Sequence, residues 1–201
     1  MLNIKGESLY PVQLSVMGTH NVYNALASIA ATHLLGVPIE TILDSIKNYH
    51  GVQRRLEVKG IVNGVKIIDD YAHHPTEIQA SLEALQNSTK GNIWCVFQPH
   101  TYTRTKLLLD SFAKSFSKAD KVIIPDIYAA REKDTGLIHS TDLVDALVKK
   151  GIDARYISSF EDIENYLLEK AKSGDVIVTM GAGNVYTIGD AMLESSEKEA
   201  I

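Results

Sequence analysis

From Gly51 onward, short apolar runs alternate with segments whose apolar residues recur at three- and four-residue spacing, and this alternation constrains the fold more than any other feature of the chain. Strands are predicted at 56–62, 65–70, 92–98, 121–126, 154–157 and 175–180, and helices at about 75–87, 103–118, 140–150, 160–172 and 184–194. Strands separated by helices need crossover connections, which gives an α/β domain with a mostly parallel sheet of six strands. Asn63-Gly64, between the first two strands, is the residue pair that a tight hairpin favours. It makes the first strand antiparallel and places it at an edge.

Residues 1–50 read differently. Leu2 to Lys5, a turn at Gly6-Glu7-Ser8 and Tyr10 to Met17 form a hairpin-like segment. A helix from about Val22 carries Leu26, Ile29 and His33 on one face and ends at Gly36, and Pro38 opens a second with Ile39, Ile42, Leu43 and Ile46 as its apolar stripe. Two strands and two helices are too little for an independent core. Residues 1–50 therefore read as the tail of a larger domain, and 51–201 as a domain of their own. Unpaired strand edges and apolar helix faces in the first segment are expected to lead to self-association, to repacking onto the larger domain or to poor order.

Composition narrows the class. A net charge of −5 over 201 residues argues against nucleic acid as the main partner. The single cysteine, Cys95, lies inside the apolar run IWCVF and reads as a buried, inert thiol. It excludes an internal disulfide framework and fits a reducing cytoplasm. No apolar run approaches the ~20 residues of a membrane span, and no secretory leader pattern opens the chain. A cytoplasmic protein with no membrane partner is expected.

If the strands are parallel, their carboxyl ends share one edge, and four polar loops fall there: DDYAHHP after 65–70, QPHTYTRT after 92–98, PDIYAARE after 121–126 and GAGNVYTIG after 175–180. Loops at the opposite end, such as NSTKG and KSGD, are ordinary solvated turns. Ligands of open α/β sheets bind outside the carboxyl ends of the strands, where helix amino ends favour anions. Asp69 and Asp70 either cap the following turn or serve chemistry, and the same choice holds for His73 and His74. His and Asp together could hold a divalent ion, but no further ligand at diagnostic spacing supports a zinc site, and no metal ligand is assigned. Arg104 suits a carboxylate or phosphate fork or else a surface ion pair. GAGNVYTIG reads as a glycine-allowed tight turn rather than a dinucleotide fingerprint, since no second βαβ unit follows it. Before the sheet, Asn21 and Asn24 share a helix face and offer the donor and acceptor of an adenine edge, or a cap. Arg54-Arg55 either hold phosphates or form a solvated hinge.

Taken in order and spacing, GTHNVYN, GVQRRLE, DDYAHHPTE, FQPHTYTRT, DIYAARE and GAGNVYTIG closely resemble the carboxyl-terminal part of the Mur ligases, over essentially the whole chain. The resemblance implies a Rossmann-like domain with helices on both sheet faces, preceded by the tail of a central ATPase domain. It implies an ATP- and Mg2+-dependent ligase of peptidoglycan synthesis. DDYAHHP with QPHTYTRT points to the branch that joins L-alanine to UDP-N-acetylmuramate through an acyl phosphate. A sibling branch recycles murein tripeptide and shares only the DD-aromatic-AHHP block. By the same resemblance, His20, Asn21 and Asn24 contact adenine, Arg55 the phosphates and Asp70 the ribose. Tyr71, His73, His100 and Arg104 line the alanine side, with His73 and Arg104 in catalytic roles. Two departures stand out: Thr101 occupies a position where the family pattern has Arg, and the phosphate-cradling GxxxxGK[ST] loop is absent from these 201 residues. By itself the chain is expected to lack ligase activity. An oxidoreductase domain, suggested by the fold and GAGNVY, and a non-catalytic binding module are the competing readings.

Overall fold

The computed structural model of the chain describes residues 1–4 and 8–199. They pack as two compact units, 1–53 and 54–201.

The first unit holds strands β1 (Leu2–Ile4) and β2 (Ser8–Tyr10) and helices α1 (Thr19–Leu34) and α2 (Ile39–Lys47). β1 and β2 pair antiparallel as a two-stranded sheet. The predicted turn at Gly6-Glu7 lies outside the described residues. The predicted strand from Tyr10 to Met17 does not form: Tyr10 ends β2, and Pro11 has no N–H to continue a ladder. α1 begins at Thr19, three residues ahead of the expected Val22. The core is small: Ile29, Ile39 and Ile42, with Leu2, Tyr10, Val12, Val37, Leu43 and Ile46 against them. Leu26 and His33, expected to share a buried face with Ile29, are exposed.

The second unit runs β3 (Glu57–Val62), β4 (Val65–Asp70), α3 (Pro75–Gln86), β5 (Ile93–Phe97), α4 (Tyr102–Leu107), α5 (Leu109–Ala113), β6 (Lys121–Ile124), α6 (Ser140–Val148), β7 (Ala154–Tyr156), α7 (Phe160–Lys170), β8 (Val176–Met180) and α8 (Tyr186–Glu199). The six-stranded sheet has the order β3-β4-β8-β5-β6-β7. Only β3 runs antiparallel, at the edge, joined to β4 through Asn63 and Gly64 with φ of 51° and 79°, the double positive φ that this turn requires.

Successive strand residues face opposite sides. Ile67, Trp94, Val96, Ile123 and Ile177 pack with Ile163 and Leu167 of α7 and Ile188 and Met192 of α8. Their neighbours Ile68, Cys95, Phe97, Val122, Ile124 and Val178 are buried on the other side, where Phe97 meets the rings of Phe112 and Phe116 at 5.4 and 5.2 Å. Helices therefore cover both faces. Burial pushes the Cys95 thiol far above its ordinary pKa, in keeping with an inert core group. The helix predicted over 103–118 is two short helices broken at Leu108, which leaves Leu107 outside and turns Phe112 and Phe116 onto Phe97.

Candidate active site

β4, β8, β5 and β6 end at one edge, so the four polar loops leave the sheet together. The loop after β4 is held from several sides. Asp69 is buried; one oxygen accepts from Arg54 Nε at 2.9 Å and the other from the Thr179 hydroxyl at 2.8 Å. Asp70 is equally buried and accepts from Ala72 N and the Ser81 hydroxyl, both at 2.7 Å. Burial outweighs these bonds and raises its pKa. The carboxylate of Glu77 accepts from His73 N at 3.1 Å and His74 N at 3.2 Å, while Thr76 N donates to His74 Nδ1, a reciprocal cap on α3. Burial pushes Glu77 up, but those amide bonds, the neighbouring His73 and the Arg55 charge together hold its pKa below the usual value. His73 Nδ1 lies 2.9 Å from the Tyr71 carbonyl; a carbonyl only accepts, so Nδ1 is the donor in this contact.

Arg54 ties this loop to the glycine turn. Its Nη2 donates to Gly181 O at 2.8 Å and Gly183 O at 3.3 Å. Its guanidinium lies 4.9 Å from the Tyr71 ring centroid and 4.6 Å from that of Tyr186. Its own carbonyl receives Tyr71 N at 2.7 Å. The residue holds φ at 58°, a cost that these contacts sustain.

The loop after β5 is built differently. Tyr128 N donates to Pro99 O and Thr101 N to Tyr128 O, a short parallel bridge that stacks the His100 and Tyr128 rings 5.5 Å apart. Thr101 caps α4 with its hydroxyl at φ 64°, an outlier for a β-branched residue. Glu132 accepts from the Thr103 amide and hydroxyl. Gln98 N donates to Met180 O, and its Nε2 to Asn184 Oδ1 at 3.2 Å. The His73 and His100 rings are 6.2 Å apart. Burial first, then the Arg104 charge and the neighbouring His73, hold the His100 pKa below its ordinary value.

Of the residues singled out in the sequence, Tyr71, His73, His100 and Arg104 thus come to one edge. Arg55 is half exposed, 3.8 Å from Glu77. Asp70, for which the resemblance implies a ribose contact, is 2% exposed, and its two oxygens accept from Ala72 N and from the Ser81 hydroxyl. In the first unit, His20 and Asn24 are exposed at the amino end of α1, and Asn21 braces it by donating to Met17 O and accepting from Asn24. Sequence reading did not single out Glu77, Gln98 or Tyr128 as site residues. Glu77 stands three residues after the cap, the capping-box spacing, but the cap is a histidine and hides the pattern. The described residues hold no group of three or more His, Cys, Asp or Glu side chains that could hold a metal ion, so Mg2+ is assigned no residue here.

Residues 54–183 match the family model described as "Mur ligase, glutamate ligase domain". The chain belongs to the Mur ligase family. Among Mur ligases, a UDP-N-acetylmuramate–L-alanine ligase from Caldanaerobacter subterraneus is 54% identical over 194 residues, 96% of this chain and 42% of that protein. The crystal structure of the UDP-N-acetylmuramate-alanine ligase MurC from Thermotoga maritima superposes with a TM-score of 0.81 at 27% identity, over 97% of this chain and 42% of that one. A murein peptide ligase from Psychrobacter arcticus gives 0.67 at 30% identity, over 92% and 38%. The chain therefore spans about two fifths of the length of the Mur ligases it matches.

Proposed function

We propose that this chain is the amino-acid-receiving, carboxyl-terminal part of an ATP-dependent ligase that joins L-alanine to UDP-N-acetylmuramate in the cytoplasm for peptidoglycan synthesis. The observation that carries the reading is the identity of 54%, across nearly the whole chain, with a ligase named for that reaction. The edge bearing Tyr71, His73, His100 and Arg104 supports it with fitting chemistry. In this reading ATP supplies the phosphoryl group that activates the muramoyl carboxylate as an acyl phosphate. The amine of L-alanine then bonds to the carbonyl carbon as the carbon–oxygen bond to phosphate breaks, and phosphate leaves with the electron pair.

Arg104 takes the amino-acid carboxylate, and His73 and Tyr71 complete the wall. His73, oriented through Nδ1 by the Tyr71 carbonyl, turns Nε2 to the role of receiving a proton from the attacking amine. Residues 1–53 belong, in this reading, to the central ATPase domain. His20, Asn21 and Asn24 are then the adenine contacts and Arg55 a phosphate contact. Asp70 shapes the turn that carries Tyr71 and His73 and, by the same resemblance, is the ribose contact.

The test is turnover. Joined to the nucleotide- and UDP-sugar-binding domains, the chain should release ADP only when L-alanine and UDP-N-acetylmuramate are both present, with the amide product visible by mass spectrometry. Alone it should show none. Turnover with murein tripeptide but not with L-alanine would move the assignment to the sibling branch.

A further inference from the structure

Among the described residues, three buried side-chain atoms have no hydrogen-bond partner: Gln98 Oε1, His100 Nδ1 and Arg104 Nη1. Buried polar atoms are nearly always paired, so three orphans on one short stretch call for an explanation. They are also neighbours in space. The bare α-carbon of Gly183 covers Gln98 Oε1, and a Cβ there would also lie 2.8 Å from Tyr128 Cγ. Tyr128 stacks on the His100 ring, and the Arg104 charge acts on that same imidazole.

The chemistry of the three atoms is complementary to a single kind of molecule. A carboxamide oxygen only accepts, and a guanidinium nitrogen only donates. Burial lowers the His100 pKa, which favours the neutral ring, and Nδ1 accepts in the tautomer that carries its proton on Nε2. The site offers two acceptors and one cationic donor. An α-amino acid zwitterion offers an ammonium with three donors beside a carboxylate.

We propose that Gln98 Oε1 and His100 Nδ1 receive the ammonium group of the incoming amino acid while Arg104 Nη1 takes its carboxylate. The proposal rests on reading this edge as the amino-acid side and adds Gln98 as the residue that distinguishes an amino acid from a simple carboxylate. An analogue without the amine leaves Oε1 buried and unpaired, which is a stronger means of rejection than shape. Gly183 is the cover. Its missing side chain lets the turn lie against Gln98 and Tyr128, and ligand entry shifts that turn.

L-alanine and propionate, which differ by the amine alone, test this by NMR titration of the 201-residue chain. The Gly183 amide and the His100 ring nitrogens are the reporters. L-alanine should bind roughly tenfold more tightly than propionate, the scale of a charge-assisted hydrogen bond. Gln98→Met should bring L-alanine down to propionate. Gln98→Glu should restore the preference, since its oxygen still accepts. A Gln98 that matters only through its Nε2 bond to Asn184 predicts that both variants lose the preference alike, and that result overturns the proposal. The wild-type comparison stands even if a variant fails to fold. Equal binding of the two ligands refutes ammonium recognition while leaving Arg104 as a carboxylate site. No perturbation by either refutes the amino-acid reading of the edge and the proposal with it.

Discussion

The loops after β4 and β5 leave the same edge of one sheet, yet their polar atoms are in opposite states. In the first, Asp69, Asp70 and Glu77 each accept two hydrogen bonds from the protein, and Arg54 is clamped between two tyrosines. In the second, Gln98, His100 and Arg104 each keep a buried atom without a partner, and Thr101 sits in a strained conformation. A saturated network rigidifies what it holds, whereas unsatisfied buried groups cost stability unless something else pairs them. We read the first loop as scaffold, positioning Tyr71 and His73, and the second as the receiving side.

That contrast can be broken by substitutions in the scaffold. The largest effect should come from Arg54→Ala. It leaves the Asp69 carboxylate buried and unpaired and frees two carbonyls of the glycine turn, at a cost of about 3 kcal/mol by urea unfolding. Gln98→Met removes no partner of a buried charge and should cost far less; equal costs would erase the distinction between the loops. Glu77→Ala removes the reciprocal cap of α3 and should cost about 1 kcal/mol.

The smallest effect at neutral pH, and the most specific, belongs to Asp70→Asn, which keeps an acceptor for Ala72 and a polar partner for Ser81. Because its pKa is raised on folding, native Asp70 holds its proton where the unfolded chain has lost it. Stability therefore falls as pH rises through the range just above the ordinary aspartate value of about 4. Glu77 works in the other direction: its pKa is lowered, so its contribution is present above the ordinary glutamate value and is lost as pH falls through the folded one. Asp70→Asn should flatten the first slope and leave the second, as read from thermal unfolding across pH. A profile unchanged by Asp70→Asn would show that its carboxyl is not held protonated by burial.

The sheet was legible because its strands are apolar runs bounded by turns, and Asn63-Gly64 marked its antiparallel edge; each of its six strands lies within two residues of the expected span at either end. The clustering of four loops followed from parallel strands alone. Other features depend on backbone angles or contacts that residue types do not carry. Arg54 and Arg55 are alike in sequence, yet a positive φ at Arg54 turns it onto Asp69 and Gly181 and leaves Arg55 toward solvent. Gln98 reads as one polar residue in a polar motif until the missing Cβ of Gly183 brings the turn over it. The strand expected through Met17 failed because Pro11 interrupts it, a local rule that was outweighed by the apolar pattern of Val12, Leu14 and Val16.

Amino-acid binding at this edge depends most directly on Arg104. In the ligase proposed above, with the chain joined to nucleotide- and UDP-sugar-binding domains, the Michaelis constants for L-alanine and for ATP are measured for wild type and Arg104→Ala. A guanidinium–carboxylate contact in a partly dry cleft is worth roughly 1.5–3 kcal/mol, so the constant for L-alanine should rise by about one to two decades while that for ATP stays within about twofold. An unchanged constant for L-alanine would make Arg104 a surface cation worth less than about 1 kcal/mol and remove the amino acid from this edge.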